Sequence, residues 1–185
     1  MDKMSLLTLS ENTKPTGVKW LDAMVKEDKT RLYYPFLYHL AQEMKPSRIV
    51  ELGVQTGRST AHLALGAPEA TVYAVDPDKW DLTDIFDHCS NIVFFEEYSQ
   101  DFNTDYLTGG IDILFIDSDH TYEQVMTEWT KFSPFVQKDG VVLLDDIHYS
   151  EDMEKAWNEL PGEKLDISHL HPAGKPYAGF GAIII

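Results

Sequence analysis

The stretch Arg48-Ile49-Val50-Glu51-Leu52-Gly53-Val54-Gln55-Thr56-Gly57-Arg58-Ser59-Thr60 decides the fold of this chain. Ile49 to Leu52 is a short apolar run between polar residues, the pattern of a strand buried in a parallel sheet. The run breaks at Gly53 and again at Gly57. Ser59-Thr60-Ala61-His62-Leu63-Ala64-Leu65 then reads as a helix opening on good N-terminal residues. Strand, glycine turn and helix together receive a nucleotide-like ligand. Glycine lets a ligand approach bare backbone, and the amides that open the helix face it. The spacing is not the G-x-G-x-x-G of a dinucleotide fingerprint, because Val54 and Gln55 stand where the middle glycine belongs. An acid, Glu51, sits at the strand end instead. A carboxylate there repels phosphate and suits a ligand carrying ammonium and sulfonium groups.

Outward from this stretch, strands and helices alternate. Thr71–Val75, Asn91–Phe95, Ile111–Ile116 and Gly140–Leu144 read as further strands. Helices fit between them at Ser59–Leu65, about Trp80–His88, briefly near Asp101–Tyr106, and at Tyr122–Val136. This is the signature of an α/β, doubly wound, Rossmann-like sheet with helices on both faces. After a helix near Glu151–Leu160, Leu165–Leu170 and Tyr177–Ile185 read as an antiparallel hairpin, which makes seven strands, mostly parallel. If the first of these two runs parallel to the others, then His169, His171, Lys175 and Tyr177 lie at the carboxyl rim. The reading gives one domain over 1–185. Residues 1–16 are an arm, 17–46 hold N-terminal helices with Tyr33 to His39 on a face packed against the sheet, and 47–185 form the core.

Four strands end in carboxylates: Glu51, Asp76, Asp117 and the pair Asp145-Asp146. Ligands of open α/β sheets sit at the carboxyl ends of strands, so these acids gather at one rim. Gathering like charges is unfavourable unless a cationic cofactor, a metal ion or both offset it. Asp76 lies 19 residues after Gly57, near the roughly 20-residue spacing at which an acid takes the ribose hydroxyls of an adenosine cofactor. An Asp before Pro77 is also a common turn former. Trp80 is placed to lie against an adenine or to pack as an ordinary aromatic. Asp117 and His120, three apart across a strand-to-helix turn, bring a carboxylate and an imidazole to the same rim. Asp117, Asp145 and Asp146 offer hard oxygen ligands suited to magnesium, with helix capping by Asp119 or Asp145 as the competing use.

The motifs Glu-Leu-Gly-Val-x-x-Gly-x-Ser at 51–59, Ile-Asp-x-Asp-His-Thr-Tyr-Glu at 116–123 and Gly-Val-Val-Leu-Leu-Asp-Asp-Ile at 140–147 resemble those of class I S-adenosylmethionine-dependent methyltransferases. The group they resemble is metal-dependent and related to macrocin O-methyltransferase and cephalosporin hydroxylase. The resemblance implies that S-adenosylmethionine lies against Glu51, Gly53, Thr56, Gly57, Ser59, Asp76, Pro77, Trp80, Ser99, Gln100 and Asp117. It implies Mg2+ on Asp117, Asp145 and Asp146, with His120 as the base and Asp117 beside it. The implied activity is O-methylation of a small molecule or a sugar hydroxyl. A non-catalytic cofactor-binding regulator or helper subunit is the alternative, and a nicotinamide oxidoreductase is disfavoured by the missing glycine.

Composition narrows the partners. With 31 acidic and 15 basic residues the formal charge is −16, so neither nucleic acid nor an anionic membrane is expected as a partner. A small-molecule or sugar acceptor is expected, with homo-oligomerisation left open. One cysteine, Cys89, and the lack of an export-like start suggest a cytoplasmic setting.

Overall fold

In the computed structural model, which describes residues 1–27, 32–78, 80–171 and 179–185, one seven-stranded sheet carries the chain. The strands are β1 (Arg48–Leu52), β2 (Thr71–Asp76), β3 (Ile92–Glu96), β4 (Ile111–Ile116), β5 (Val136–Asp145), β6 (Glu163–Asp166) and β7 (Phe180–Ile184). Their order across the sheet is β3-β2-β1-β4-β5-β7-β6. The pairs among β1 to β5 are parallel, and β7 runs antiparallel to both β5 and β6. This is the mostly parallel sheet with a closing antiparallel hairpin expected from the sequence.

The central strands are apolar on both sides because each side has its own core. Ile49, Ile113, Phe115, Val141 and Leu143 pack into one cluster, and their chain neighbours Val50, Leu114, Ile116, Val142 and Leu144 pack into the other. Alternation of successive side chains across a strand produces this division. Each such burial contributes about 1.5–3 kcal/mol. The first face is covered by α1 (Lys3–Glu11), α2 (Lys19–Glu27), α3 (Tyr33–Met44) and α4 (Arg58–Gly66). The short α5 (Thr83–His88) adds Ile85 to the first cluster, and the second face is covered by α6 (Tyr122–Phe132) and α7 (Glu151–Glu159).

Three expectations change. Residues 3–11 are not a loose arm. They form α1, capped where Asp2 accepts the Ser5 amide at 2.9 Å and anchored by Leu6, which is fully buried. α6 stops at Phe132, and Ser133–Phe135 tightens into a 3-10 turn around Pro134, whose missing N–H ends the ladder. The hairpin's first strand is Glu163–Asp166 and not 165–170, where Ser168–Leu170 is another 3-10 turn. Lys175 and Tyr177 lie outside the described residues. Among the described residues, no helix is long and apolar enough to cross a membrane.

Candidate functional site

Register builds the site. Leu52 pairs with Val75 and Ile116, and Ile116 pairs with Leu144. The four strand ends are therefore level, and the next residues, Gly53, Asp76, Asp117 and Asp145, stand side by side. A cavity of roughly 550 Å³ opens above them, a volume in the range of small-molecule sites. Gly53, Thr56 and Ser59 line it from the glycine turn, and Asp76, Pro77 and Trp80 from the end of β2. Ser99 and Gln100 line it after β3, and Asp117, His120, Asp145 and Asp146 close its other side.

Two of the expected contact residues lie behind the wall. Glu51 is fully buried, and neither of its carboxyl oxygens makes a hydrogen bond among the described residues. Burial raises its pKa from an ordinary 4.5 to about 7. The hydroxyls of Ser59 and Thr60, near it but outside hydrogen-bonding geometry, oppose that shift, while the charge of Asp76 adds to it. Gly57, at φ +71°, packs against α5, where a Cβ would meet Leu82 and Ile85 at 3.0 Å.

The glycine at 53 is required for a different reason from the one the sequence suggests. Its φ is +88°, and a Cβ would stand 2.0 Å from the carbonyl oxygen of Asp117. The missing side chain thus makes room for the end of β4, and the cavity lies along the same seam. Asp76 braces the turn from the side. Its Oδ2 accepts the amides of Val54 (2.8 Å) and Gln55 (3.0 Å), and its Oδ1 accepts the Asp78 amide (2.9 Å) and the Trp80 indole N–H (3.1 Å). Two amides of the glycine turn are thus engaged by Asp76, ahead of those that open α4 at Arg58.

Beyond β3 a buried carboxylate ties the wall together. Glu128 of α6 accepts the Ser99 hydroxyl and the Gln124 amide on one oxygen and the Ser118 hydroxyl on the other, each at 2.7 Å. Gln100 in turn donates to Gln124 at 2.6 Å. Burial raises the Glu128 pKa, and these three donors oppose the rise. An acid on a surface-type helix reads from sequence as solvated, so this hub was not foreseen.

At the opposite wall His120 stands between carboxylates. Its Nε2 is 3.2 Å from Asp146 Oδ2 and 3.9 Å from Asp117 Oδ1, and the Tyr149 ring lies against it at 5.2 Å. Neither Asp119 nor Asp145 is spent on capping, because Thr121 caps α6 and Ser150 caps α7. Asp145 and Asp146 are adjacent in sequence and would point to opposite faces of an extended strand. Asp146 instead takes φ +54°, a left-handed conformation that Asp tolerates, and the turn brings both carboxylates to the same side. Asp145, Asp146 and His171 each place one ligand atom within 4.8 Å of the others, as a metal centre requires. Among the described residues this is the group with that spacing, and Asp117 lies outside it, across His120.

Two further groups join them. His171 follows the 3-10 turn after β6 and reaches the rim, as expected if that strand runs parallel to the others. Tyr33, on the helix assigned to packing, is fully buried and donates its hydroxyl to Asp145 Oδ2 at 2.9 Å. Its neighbour Tyr34 lines the cavity, so the face of α3 on the sheet also reaches the rim.

A family model described as a methyltransferase domain matches residues 50–147, more than half of the chain. An uncharacterized protein, R132, of Acanthamoeba polyphaga mimivirus is 40% identical over 63 residues, which cover 32% of this chain and 28% of that relative. Among solved structures, a Staphylococcus aureus protein described provisionally as a caffeoyl-CoA O-methyltransferase superposes with a TM-score of 0.69 at 14% identity, covering 99% of both chains. An O-methyltransferase from Bacillus cereus in complex with SAH superposes with a TM-score of 0.59 at 17% identity, covering 98% of this chain and 90% of that one. At these identities the likeness is one of fold.

Proposed function

This chain belongs to the methyltransferase-domain family, and on that premise we propose that it transfers the methyl group of S-adenosylmethionine to an oxygen of a small molecule or sugar, with a divalent cation assisting. The observation that carries the reading is the placement of His120. Its Nε2 lies between Asp146 and Asp117 at the edge of a cavity whose other side is the glycine turn.

S-adenosylmethionine supplies a sulfonium-activated methyl group for in-line displacement. Asp76 and Trp80 hold its ribose and adenine end, with Ser99 and Gln100 at the adenine edge. Gly53, Thr56 and Ser59 border its amino-acid end, with Glu51 and Gly57 as the layer beneath. His120 takes the proton of the acceptor hydroxyl, and Asp117 and Asp146 stabilise the imidazolium that results. The rim fits a cation: Asp145 Oδ1 is buried and accepts no hydrogen bond from any described residue, and Asp146 is turned toward the same point. Asp145 and Asp146 would hold Mg2+, which lowers the pKa of a bound hydroxyl and fixes its direction, while Asp117, outside their spacing, serves the base and not the ion.

The test is turnover of catechol-like and sugar acceptors, with and without Mg2+, alongside calorimetry with S-adenosylhomocysteine. His120→Ala should bind the product cofactor within about threefold of wild type and lose roughly 10²–10⁴-fold in turnover, the usual share of a positioned base. Undiminished turnover in His120→Ala refutes the assignment. Absence of S-adenosylhomocysteine binding refutes the function.

A further inference from the structure

We infer that His171 is a direct metal ligand and that the rim is therefore built for a first-row transition dication, of the Mn2+, Fe2+, Co2+ or Zn2+ class, in preference to Mg2+. The inference rests on the proposal of a cation at this rim and goes beyond it in naming a nitrogen donor and the ion class.

Three observations converge. His171 Nδ1 lies 3.4 Å from Asp145 Oδ1 and 3.8 Å from Asp146 Oδ1, so the imidazole edge and both carboxylates turn toward a common point. The donors are held before any ion arrives. The imidazole side chain is 7% exposed and packs edge-on against the Tyr33 ring at 5.4 Å, while the His171 amide donates to the Ser168 carbonyl at 2.9 Å. Tyr33 pins Asp145 through Oδ2, which leaves Oδ1, buried on a residue 2% exposed, without a hydrogen bond from any described residue. A buried carboxylate oxygen is costly to leave unmatched, and a cation matches it.

The ligand set then selects the ion. Mg2+ binds through oxygen and gains little from an imidazole, whereas Mn2+ through Zn2+ accept mixed nitrogen and oxygen donors with growing affinity. Asp146 also faces His120 through its second oxygen, so the nitrogen-containing site and the base share one carboxylate.

The experiment titrates metal-free protein with Mg2+, Mn2+ and Co2+ by calorimetry, in wild type, His171→Ala and the volume-preserving His171→Gln. S-adenosylhomocysteine binding reports that each variant is folded. Loss of a direct ligand should cost at least the roughly 100-fold at the upper end of outer-shell effects. Both variants should therefore weaken Co2+ and Mn2+ by about 100-fold or more and Mg2+ by less than about threefold. In the wild-type protein, the Co2+ form should show a paramagnetically shifted, solvent-exchangeable imidazole proton that both variants lack. Equal losses for Mg2+ and Co2+, or no loss, overturn the inference while leaving a Mg2+-assisted reaction standing. Failure of all three ions to bind overturns both.

Discussion

Replacing Glu51 with glutamine tests the electrostatics beneath the glycine turn. The carboxyl titrates near 7 in the folded protein against an ordinary 4.5, because burial disfavours its charge. A raised carboxylate pKa gives stability that is complete below the unfolded value and lost as pH rises through the folded one. At 1.36 kcal/mol per pH unit, the rise from 4.5 to about 7 means that ionising Glu51 removes about 3 kcal/mol by pH 8, most of it between pH 4.5 and 7. Glutamine keeps the shape and removes the charge. Glu51→Gln should therefore gain about 2–3 kcal/mol more, relative to wild type, at pH 8 than at pH 5. For a chain of this size that is roughly 5–10 °C in Tm. Thermal unfolding followed by circular dichroism from pH 4 to 8 reads the difference directly, and comparing two proteins cancels the titrations they share. A Tm difference between variant and wild type that is independent of pH would show that Glu51 is not the ionising group.

His62 supplies the opposite slope. Burial lowers its pKa from 6.5 to about 4, so its stability is present above 6.5 and lost as pH falls toward 4. His62→Phe should remove about 3 kcal/mol of that acid sensitivity, measured by urea unfolding at pH 4 and 7, and an unaltered pH slope refutes it. The Glu51 and His62 slopes run in opposite directions over nearly the same window, so wild type should look flat where each single variant tilts. Gly53→Ala should destabilise by about 3 kcal/mol or more, because the added carbon meets the Asp117 carbonyl. Gly17→Ala, also at positive φ but with nothing within 4 Å, should cost only the roughly 1–2 kcal/mol of a left-handed residue. Equal midpoints for the two in urea would remove the collision argument.

The sequence shows the parts of this molecule that depend on strong local signals. β1, β2 and β4 are mostly apolar runs, each with a carboxylate at or just past its carboxyl end. Their level register follows from parallel pairing, so Asp76, Asp117, His120, Asp145 and Asp146 were legible as one group. What escaped depends on three-dimensional placement. Nothing local marks His171 as facing Asp145, since the approach depends on the course of β6 and a 3-10 turn. Tyr33 lies 112 residues from the carboxylate it orients. The left-handed turn at Asp146 decides whether two neighbouring acids face together or apart, and Asp adopts it without a sequence mark. Helix α1 was missed because its apolar stripe is weak and its burial rests largely on Leu6.

The four bonds to Asp76 have a consequence for entry into the cavity. Each carboxylate oxygen already receives two donors, so its lone-pair directions are spoken for. Two of these donors are the backbone that shapes the glycine turn, whereas the Trp80 indole is partly open to solvent and able to leave. A hydroxylated guest bonding to Asp76 would therefore have to displace one of these donors, and the exposed Trp80 indole is the one whose loss would leave the glycine turn its form.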